Sequence, residues 1–281
     1  MADVITPVEG GTRMRSTAPA ACDTPLVSII TVVYNGAATL ERTIQSVLAQ
    51  SYPRIEYIIM DGGSTDGTLD ILRRYDDRIA YWSSAKDKGI YDAMNKGIAE
   101  CTGEWIGMIN ADDWYPADAV ALAMHAATAR PKANILHGDI LIHYPNGTSK
   151  VKHPKVNGFL LKHWEMVLNH PSFFVRRSTY EGRPFSTDLR VGGDHHWTLR
   201  AWLEDEQQFH YVPAVLAHFS VGGASATIPL SKVLRESDAI SHALGLGAGH
   251  RLLSRFVRTA LRLPAQAKLW FNQFVAPLGR T

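Results

Sequence analysis

The sequence predicts an α/β fold: a parallel, doubly wound sheet followed by a separate helical end. Three observations carry this expectation. Apolar, β-branched runs of the kind found in strands covered on both faces occupy residues 26–33 and 55–60. Helical spacings of apolar residues alternate with these runs, the signature of a strand, a crossover helix and a parallel strand. From residue 229 onward the chain becomes helical in character and basic, unlike what precedes it.

Taken in order, residues 1–24 carry Gly, Thr, Pro and Ala without periodicity and read as a flexible lead-in. The strand at 26–33 runs into Tyr34-Asn35-Gly36, and Leu40, Ile44, Val47 and Leu48 then mark a helix over 38–49. The strand at 55–60 ends in Asp61-Gly62-Gly63-Ser64 and leads to a helix over 66–75 with Leu69 and Leu72 inward. A third strand is expected over 79–83, a helix over 90–100, a fourth strand over 104–109 and an Ala-rich helix over 117–129. Residues 134–152 read as a strand and hairpin turning at Pro145-Asn146-Gly147. Residues 156–225 mix short helices and loops with a strand near 209–219. The expected organisation is a flexible segment at 1–24, one domain over 25–228 and a basic, amphipathic helical extension over 229–281.

A chain of 281 residues, 46% hydrophobic and 20% charged, has the length and balance to bury a substantial core as a soluble protein. The net charge of +2 says little about partners, but its distribution says more. Residues 239–281 hold six basic residues and no acid, which leaves 23 basic against 27 acidic residues in the rest. Two cysteines, Cys22 and Cys101, make no disulfide framework and imply a reducing compartment. The N-terminus lacks the basic stretch and apolar core of a secretory signal, and no apolar run reaches the ~18–20 residues that span a bilayer. A cytoplasmic protein, soluble or peripheral, is the expectation.

In doubly wound sheets ligands collect where strands end, and the polar clusters sit at those points. Asn110-Ala111-Asp112-Asp113 follows an apolar run, and clustered carboxylates are hard oxygen ligands suited to Mg2+ or Mn2+ on a phosphate; a polar loop capping the next helix is the plain alternative. In Asp61-Gly62-Gly63-Ser64-Thr65-Asp66, Ser64 or Asp66 can cap a helix while Asp61 is placed to hydrogen-bond a ligand. Asp87 precedes a helix in which Asp92 and Lys96 form an i,i+4 pair, worth a few tenths of a kcal/mol as a surface feature. Asn95 is a poor helix-interior residue, and Asn95-Lys96 would serve a phosphate. Val191-Gly192-Gly193-Asp194-His195-His196-Trp197 places an acid behind two glycines, as a cap or a general base. The adjacent histidines diverge on a helix, which disfavours zinc.

In order and spacing, these segments resemble the family-2 glycosyltransferases, most of all the bacterial subgroup that builds surface polysaccharides and lipid-linked glycans. The resemblance spans about residues 26–225. It is carried by Val27-Ser28-Ile29-Ile30-Thr31-Val32-Val33-Tyr34-Asn35, the run from Glu56 to Thr68, Gly89-Ile90-Tyr91-Asp92-Ala93-Met94-Asn95-Lys96-Gly97 and Asn110-Ala111-Asp112-Asp113. His170-Pro171-Ser172-Phe173-Phe174, Gly193-Asp194 and the run from His218 to Ser225 complete it. It implies a GT-A fold, a Rossmann-like nucleotide-binding sheet flanked by helices, and an inverting glycosyltransferase using a nucleotide-sugar donor and a glycan or lipid-linked glycan acceptor. Val33, Tyr34 and Asn35 would line the nucleoside pocket, with Asp61 on the base and Ser64 beside it. Asp87, Asn95 and Lys96 would flank ribose and diphosphate, Asp112 would hold the divalent metal, and Asp194 would be the catalytic base. His170 would lie on the acceptor side and His218 near the diphosphate or acceptor. Asn110 stands where the family's metal motif has its first acid, and Met94 where many relatives have Arg. A sugar nucleotidyltransferase is the alternative enzyme, but Tyr34-Asn35-Gly36-Ala37 is no Gly-rich basic phosphate loop. A non-catalytic nucleotide-sugar-binding module is the other alternative.

In the extension, Arg251, Arg255, Arg258 and Arg262 fall on one helical stripe, with Leu252, Leu253, Phe256, Val257 and Leu261 elsewhere, and Lys268-Leu269-Trp270-Phe271 resumes after Pro264. This pattern over 249–275 suits an anionic membrane surface on the inner face of the cell membrane; packing on the domain is the competing expectation. No nucleic-acid reader motif accompanies it, so nucleic acid is not an expected partner.

Overall fold

Strands buried on both faces need apolar side chains in both directions, and the first half of the chain supplies them. The computed structural model describes residues 7–15, 24–222 and 229–260. Its elements run β1 (Val8–Gly10), β2 (Val27–Val33), α1 (Leu40–Leu48), β3 (Ile55–Asp61), α2 (Thr68–Arg74), β4 (Tyr81–Ser84), α3 (Ile90–Glu100), β5 (Trp105–Met108) and α4 (Ala119–Ala129). They continue with β6 (Ile135–His143), β7 (Ser149–Lys152), α5 (Gly158–His163), β8 (Phe174–Arg176), α6 (Arg177–Tyr180), α7 (Gly193–Glu204), β9 (Phe209–Ser220) and α8 (Leu230–Ala243). A last helix, α9, covers residues 248–260.

The sheet order is β1-β4-β3-β2-β5-β8-β6-β7, with β9 paired to β6. β4, β3, β2 and β5 are mutually parallel, as the alternation of strands and helices requires. Every residue of β2 is buried, and its side chains divide by parity. Val27, Ile29 and Val33 enter one core with Leu40, Ile44 and Val47 of α1, Ile71 and Leu72 of α2 and the alanines of α4. Ile30 and Val32 enter the other with Tyr91 and Met94 of α3 and Trp197 and Leu199 of α7. Beyond β5 the sheet turns mixed: β8 is antiparallel to both β5 and β6, β7 is antiparallel to β6, and β9 is parallel to β6.

Two regions differ from the sequence expectation. Within the expected lead-in, residues 8–10 form an antiparallel edge strand on β4, and residues 12–14 a 3-10 turn. The order comes from long-range polar contacts that periodicity does not encode. The Gly11 amide donates to Asp76 at 2.6 Å, Tyr81 donates to Glu9 at 2.6 Å, and Arg13 pairs with Glu56 and Glu100. At the other end, the arginine stripe of α9 is not uniformly turned to solvent. Arg258 is buried, Arg255 pairs with Asp238 of α8 at 3.3 Å, and Ser254 is buried against His163 at 2.9 Å. Polar residues therefore face the domain, while Leu252 (72% exposed) and Phe256 (69% exposed) face outward. Arg262 and the 268–271 segment, like Cys22 and residues 223–225, lie outside the described residues.

Two buried histidines make the fold acid-sensitive. His137 on β6 lies between Phe173 and Tyr211, and His195 on α7 donates from Nε2 to the Leu161 carbonyl at 2.6 Å. Burial pushes each down to about 4 from 6.5, helped by His210 for His137 and by Arg258 for His195. The unfolded chain then binds protons that the folded one refuses, so this stability is present above pH 6.5 and is lost as pH falls toward 4. Urea titrations across that window should show a loss on the order of 3 kcal/mol per histidine, and His137→Phe should flatten the dependence. A slope unchanged in the variant would remove His137 as a source.

Candidate active site

The parallel register decides where the loops emerge. Val33 pairs with Asp61 and Asp61 with Ser84, so β2, β3 and β4 end at one level. β5 ends near the same rim, its line continued by the Ile109 amide donating to Ile30 at 3.0 Å. The loops carrying Tyr34-Asn35, residues 62–67, Asp87 and residues 110–113 therefore share one edge of the sheet.

On this rim Asp61 is buried and organises the β3 loop. Its carboxylate accepts from the Ser64 amide (3.1 Å), the Ser64 hydroxyl and the Ser84 hydroxyl (2.5 Å), which leaves it about one free lone-pair direction. Ser64 is also the acceptor for the Asn35 amide at 2.6 Å, and Asn35 accepts from the Thr65 amide at 2.9 Å through Oδ1. Asn35 holds φ at 51°, the left-handed region that Asn tolerates better than most residues. Val33 is buried beneath this knot, whereas the Tyr34 ring is 68% exposed above it. Asp66, not Ser64, serves the start of α2: it accepts from the Thr68 hydroxyl and amide at 2.6 and 3.1 Å. The Thr68 hydroxyl bond, with the Ala37 and Thr68 amides, holds the Asp66 carboxyl below its ordinary value.

Asp87 accepts from the Gly89 amide at 2.8 Å and lies against Gly62, where an added Cβ would stand 2.7 Å from its Oδ2. The β3 and β4 loops thus touch. Asn95 and Lys96, read from sequence as donor contacts, have partners inside the protein. The Asn95 amide group exchanges two hydrogen bonds with the Phe185 backbone (2.9 and 2.8 Å), and Lys96 pairs with Asp92 at 2.9 Å. The first fastens α3 in place; the second lies within the helix.

Asp112 and Asp113 divide the work of the β5 loop. Asp113 is buried and its Oδ1 accepts from the Ser220 amide at 2.9 Å; Oδ2 has no partner. Burial, and then the neighbouring Asp112, pushes Asp113 up to about 8. Asp112 is half-buried, and among the described residues its carboxylate has no hydrogen-bond donor. No cluster of three or more His, Cys, Asp or Glu suited to a metal exists among the described residues. An unengaged carboxylate on the strand-end rim, beside an orphaned buried oxygen, nonetheless fits a hard divalent ion that takes its other ligands from phosphates and water.

Arg42 of α1 binds this loop together, donating to the Asp112 carbonyl at 2.7 Å and to Ser220 at 3.2 Å, with its guanidinium 3.7 Å over the Trp114 ring. His218 stacks on Trp114 at 4.9 Å and shares a 2.8 Å hydrogen bond with His143. It thereby belongs to a clamp between β9 and the Asp112 loop. Sequence reasoning missed Arg42 and Trp114. Trp114 directly follows Asp113 and was within reach of that motif, but nothing local distinguishes Arg42.

Asp194 lies in the first turn of α7. Tyr91, in the first turn of α3, donates to the Val191 carbonyl at 2.6 Å and lies 3.3 Å from Asp194 Oδ1. Since α3 begins where the β4 loop ends, Asp194 stands on the same rim as Asp61, Asp87 and Asp112. Gly193 is required here, because an added Cβ would stand 2.6 Å from the Tyr91 ring. His170 is buried between Phe173 and Phe185, its Nε2 lacks a partner, and it lies within electrostatic reach of Asp194, as does Lys152. Burial lowers the His170 pKa, so its ring is neutral at pH 7. His195 points its Nε2 at the Leu161 carbonyl, 2.6 Å away.

A rim of this kind on a GT-A-like sheet agrees with the comparisons. Residues 28–185 match the family described as Glycosyl transferase family 2, and the chain belongs to that family. An uncharacterized glycosyltransferase of Mycobacterium tuberculosis is 31% identical over 261 residues, 89% of this chain and 97% of that protein. A PGL/p-HBAD biosynthesis glycosyltransferase of Mycobacterium bovis BCG is 30% identical over 213 residues, 73% of this chain and 80% of that protein. In fold the chain is similar to S. aureus TarS in complex with UDP-GlcNAc, with a TM-score of 0.63 at 16% identity over 89% of this chain and 76% of that one. It is also similar to the mannosyltransferase PcManGT from Pyrobaculum calidifontis in complex with GDP-Man and Mn2+, with a TM-score of 0.54 at 20% identity over 94% and 85%. The fold is GT-A and the protein is a glycosyltransferase.

The division of labour on α3 is measurable. Asn95→Leu leaves the Phe185 amide and carbonyl unpaired and should cost about 1–3 kcal/mol in urea denaturation. Lys96→Gln removes a half-exposed i,i+4 pair and should change stability by less than about 0.5 kcal/mol. Equal costs would show that the Phe185 contacts carry no special weight.

Proposed function

We propose that the protein is an inverting glycosyltransferase. It moves a sugar from a nucleotide-sugar donor to a hydroxyl of a glycan or lipid-linked glycan, in the assembly of cell-surface polysaccharide. The supporting observation is the shared rim: the unengaged carboxylate of Asp112 at the end of β5, and Asp194 fastened by Tyr91 to the helix that follows β4. Solved proteins of similar fold carry UDP-GlcNAc or GDP-Man, which supports a nucleotide-sugar donor, and a relative named for PGL/p-HBAD biosynthesis supports a biosynthetic role.

In this reading Val33, Tyr34 and Asn35 bound the nucleoside, with the exposed Tyr34 ring as a surface for the base. Asp61 keeps its remaining lone pair for a base N–H, and Ser64 fixes that geometry. Asp87 faces the ribose and diphosphate, with the half-exposed Lys96 flanking them, while Asn95 acts at one remove by fixing α3. Asp112 would hold Mg2+ or Mn2+, and such an ion supplies Lewis-acid neutralisation of the departing diphosphate. Asp194 Oδ takes the proton of the acceptor hydroxyl as its oxygen attacks the anomeric carbon. The bond to the diphosphate breaks on the opposite face, so one displacement inverts the centre. In this reading the buried His170 belongs to the acceptor side.

The extension adds a second contact. Among the described residues no helix is long and apolar enough to cross a membrane. Leu252, Leu253 and Phe256 of α9 and Phe159 of α5 are exposed, with Arg251, Arg255 and Lys162 close to them in sequence, and α5 meets α9 through the His163–His250 ring contact. Apolar insertion ringed by cations fits the anionic inner face of the cell membrane, where a lipid-linked acceptor would be presented.

A thermal-shift screen of UDP-, GDP- and dTDP-hexoses with and without Mn2+ should single out one donor, because ligand at 100 times Kd adds about 2.7 kcal/mol to stability. Asp194→Asn should lower turnover by roughly 10²–10⁴ while the donor-induced shift survives. Loss of that shift as well would mark Asp194 as structural. For the extension, Leu252→Ser/Phe256→Ser should release the full-length chain from anionic phosphatidylglycerol vesicles in co-sedimentation; undiminished sedimentation would exclude this face.

A further inference from the structure

The segment that presents Asp194 is held from a second side by a residue of the C-terminal extension. Glu236, in the second turn of α8, accepts three consecutive backbone amides: Arg190 at 3.3 Å through Oε1, and Val191 and Gly192 at 3.0 and 2.8 Å through Oε2. These are the residues that lead into α7. Gly192 is its N-cap, carries no side-chain cap, and gives its carbonyl to the His196 amide at 2.8 Å. One turn further along α8, Ile240 is buried, with its Cδ1 3.0 Å from where a Gly192 Cβ would stand. Val191 is thus gripped through both of its backbone groups, its N–H by Glu236 and its carbonyl by Tyr91. Asp194 follows three residues later, and its own Oδ1 accepts from the His195 amide at 2.8 Å.

We infer that Glu236 is a positioning residue for Asp194: its carboxylate fixes the 190–192 backbone that aims the base, so α8 is part of the catalytic machinery. The physical case rests on the cost of the alternative. A carboxylate accepting several amides makes stronger, charge-assisted bonds, and it lies where the α7 dipole is positive. Without it, three amides at the lip of the site turn to water or to other partners, and the approach angle of the α7 first turn is no longer single-valued. A shift of about 1 Å in a reacting group is enough to cost on the order of 100-fold in rate. Nothing in the local sequence signals this pairing, since Glu236 lies 44 residues beyond Gly192 on a helix whose other exposed residues are ordinary.

The inference rests on the proposed role of Asp194, and the experiment separates the two. The full-length chain is assayed by release of nucleoside diphosphate from UDP-, GDP- and dTDP-hexoses with water as acceptor, alongside the donor-induced thermal shift. Glu236→Ala should lower kcat by roughly 10- to 100-fold with donor KM within about twofold of wild type. Glu236→Gln, which keeps one acceptor oxygen but turns an NH2 toward the remaining amides, should fall between. Ser241→Ala removes a buried hydrogen bond of the same helix, to the Ser237 carbonyl, away from residues 190–192, and should lower thermal stability while sparing kcat. Wild-type kcat in folded Glu236→Ala, or a loss of kcat in Ser241→Ala equal to that of Glu236→Ala, overturns the inference. Where Glu236→Ala does not fold, Glu236→Gln decides: wild-type kcat overturns the assignment, and a selective loss of kcat upholds it. If Asp194→Asn keeps wild-type turnover, the base assignment itself fails, whatever the Glu236 variants do.

Discussion

Everything in this protein depends on strands β2, β3 and β4 ending in register. Parallel pairing brings Val33, Asp61 and Ser84 to one level, so chain that is distant in sequence is delivered to one rim. The loops there are not free segments draped over a scaffold. Asp61 ties its own loop to Ser84, Ser64 ties it to Asn35, and Gly62 seats Asp87, so three loops form one hydrogen-bonded surface. Such a surface is pre-organised before any ligand arrives, and that is what lets few groups do chemistry.

The β5 loop solves a different problem. Two adjacent carboxylates repel, and the fold separates them by burial. Asp113 is sunk and tethered to Ser220, while Asp112 is left at the surface with its backbone held by Arg42. The stack of Arg42, Trp114, His218 and His143 then locks the end of β9 to this loop. The rim is consequently buttressed from the mixed half of the sheet as well as from the parallel half.

Much of the fold was legible in the residues. Strands β2 to β7 and β9, the α3 helix and the hairpin around Gly147 follow from periodicity and turn chemistry, because those signals act over a few residues. The ordered edge at residues 8–15 was not legible, since it depends on Asp76, Glu56 and Tyr81, each far along the chain. The same limit applies to side-chain roles. Asn95 looks like a ligand-binding residue in sequence, and only the approach of Phe185 shows that its amide is occupied. In α9 the arginine spacing is plain, but which face meets the domain was settled by Ser254, His163 and Asp238.

By itself the sequence determined the α/β class and put its polar motifs, those of Asp61, Asp87 and Asp112 among them, at the strand ends, because strand-end motifs are local and ordered. Tertiary structure alone decided which polar groups are spent on the protein: Asn95 on Phe185, His218 on Trp114, Glu236 on the lead-in to α7. The reason is physical. A side chain's availability depends on whether a partner 40 to 100 residues away fills its hydrogen bonds, and no local pattern records that partner.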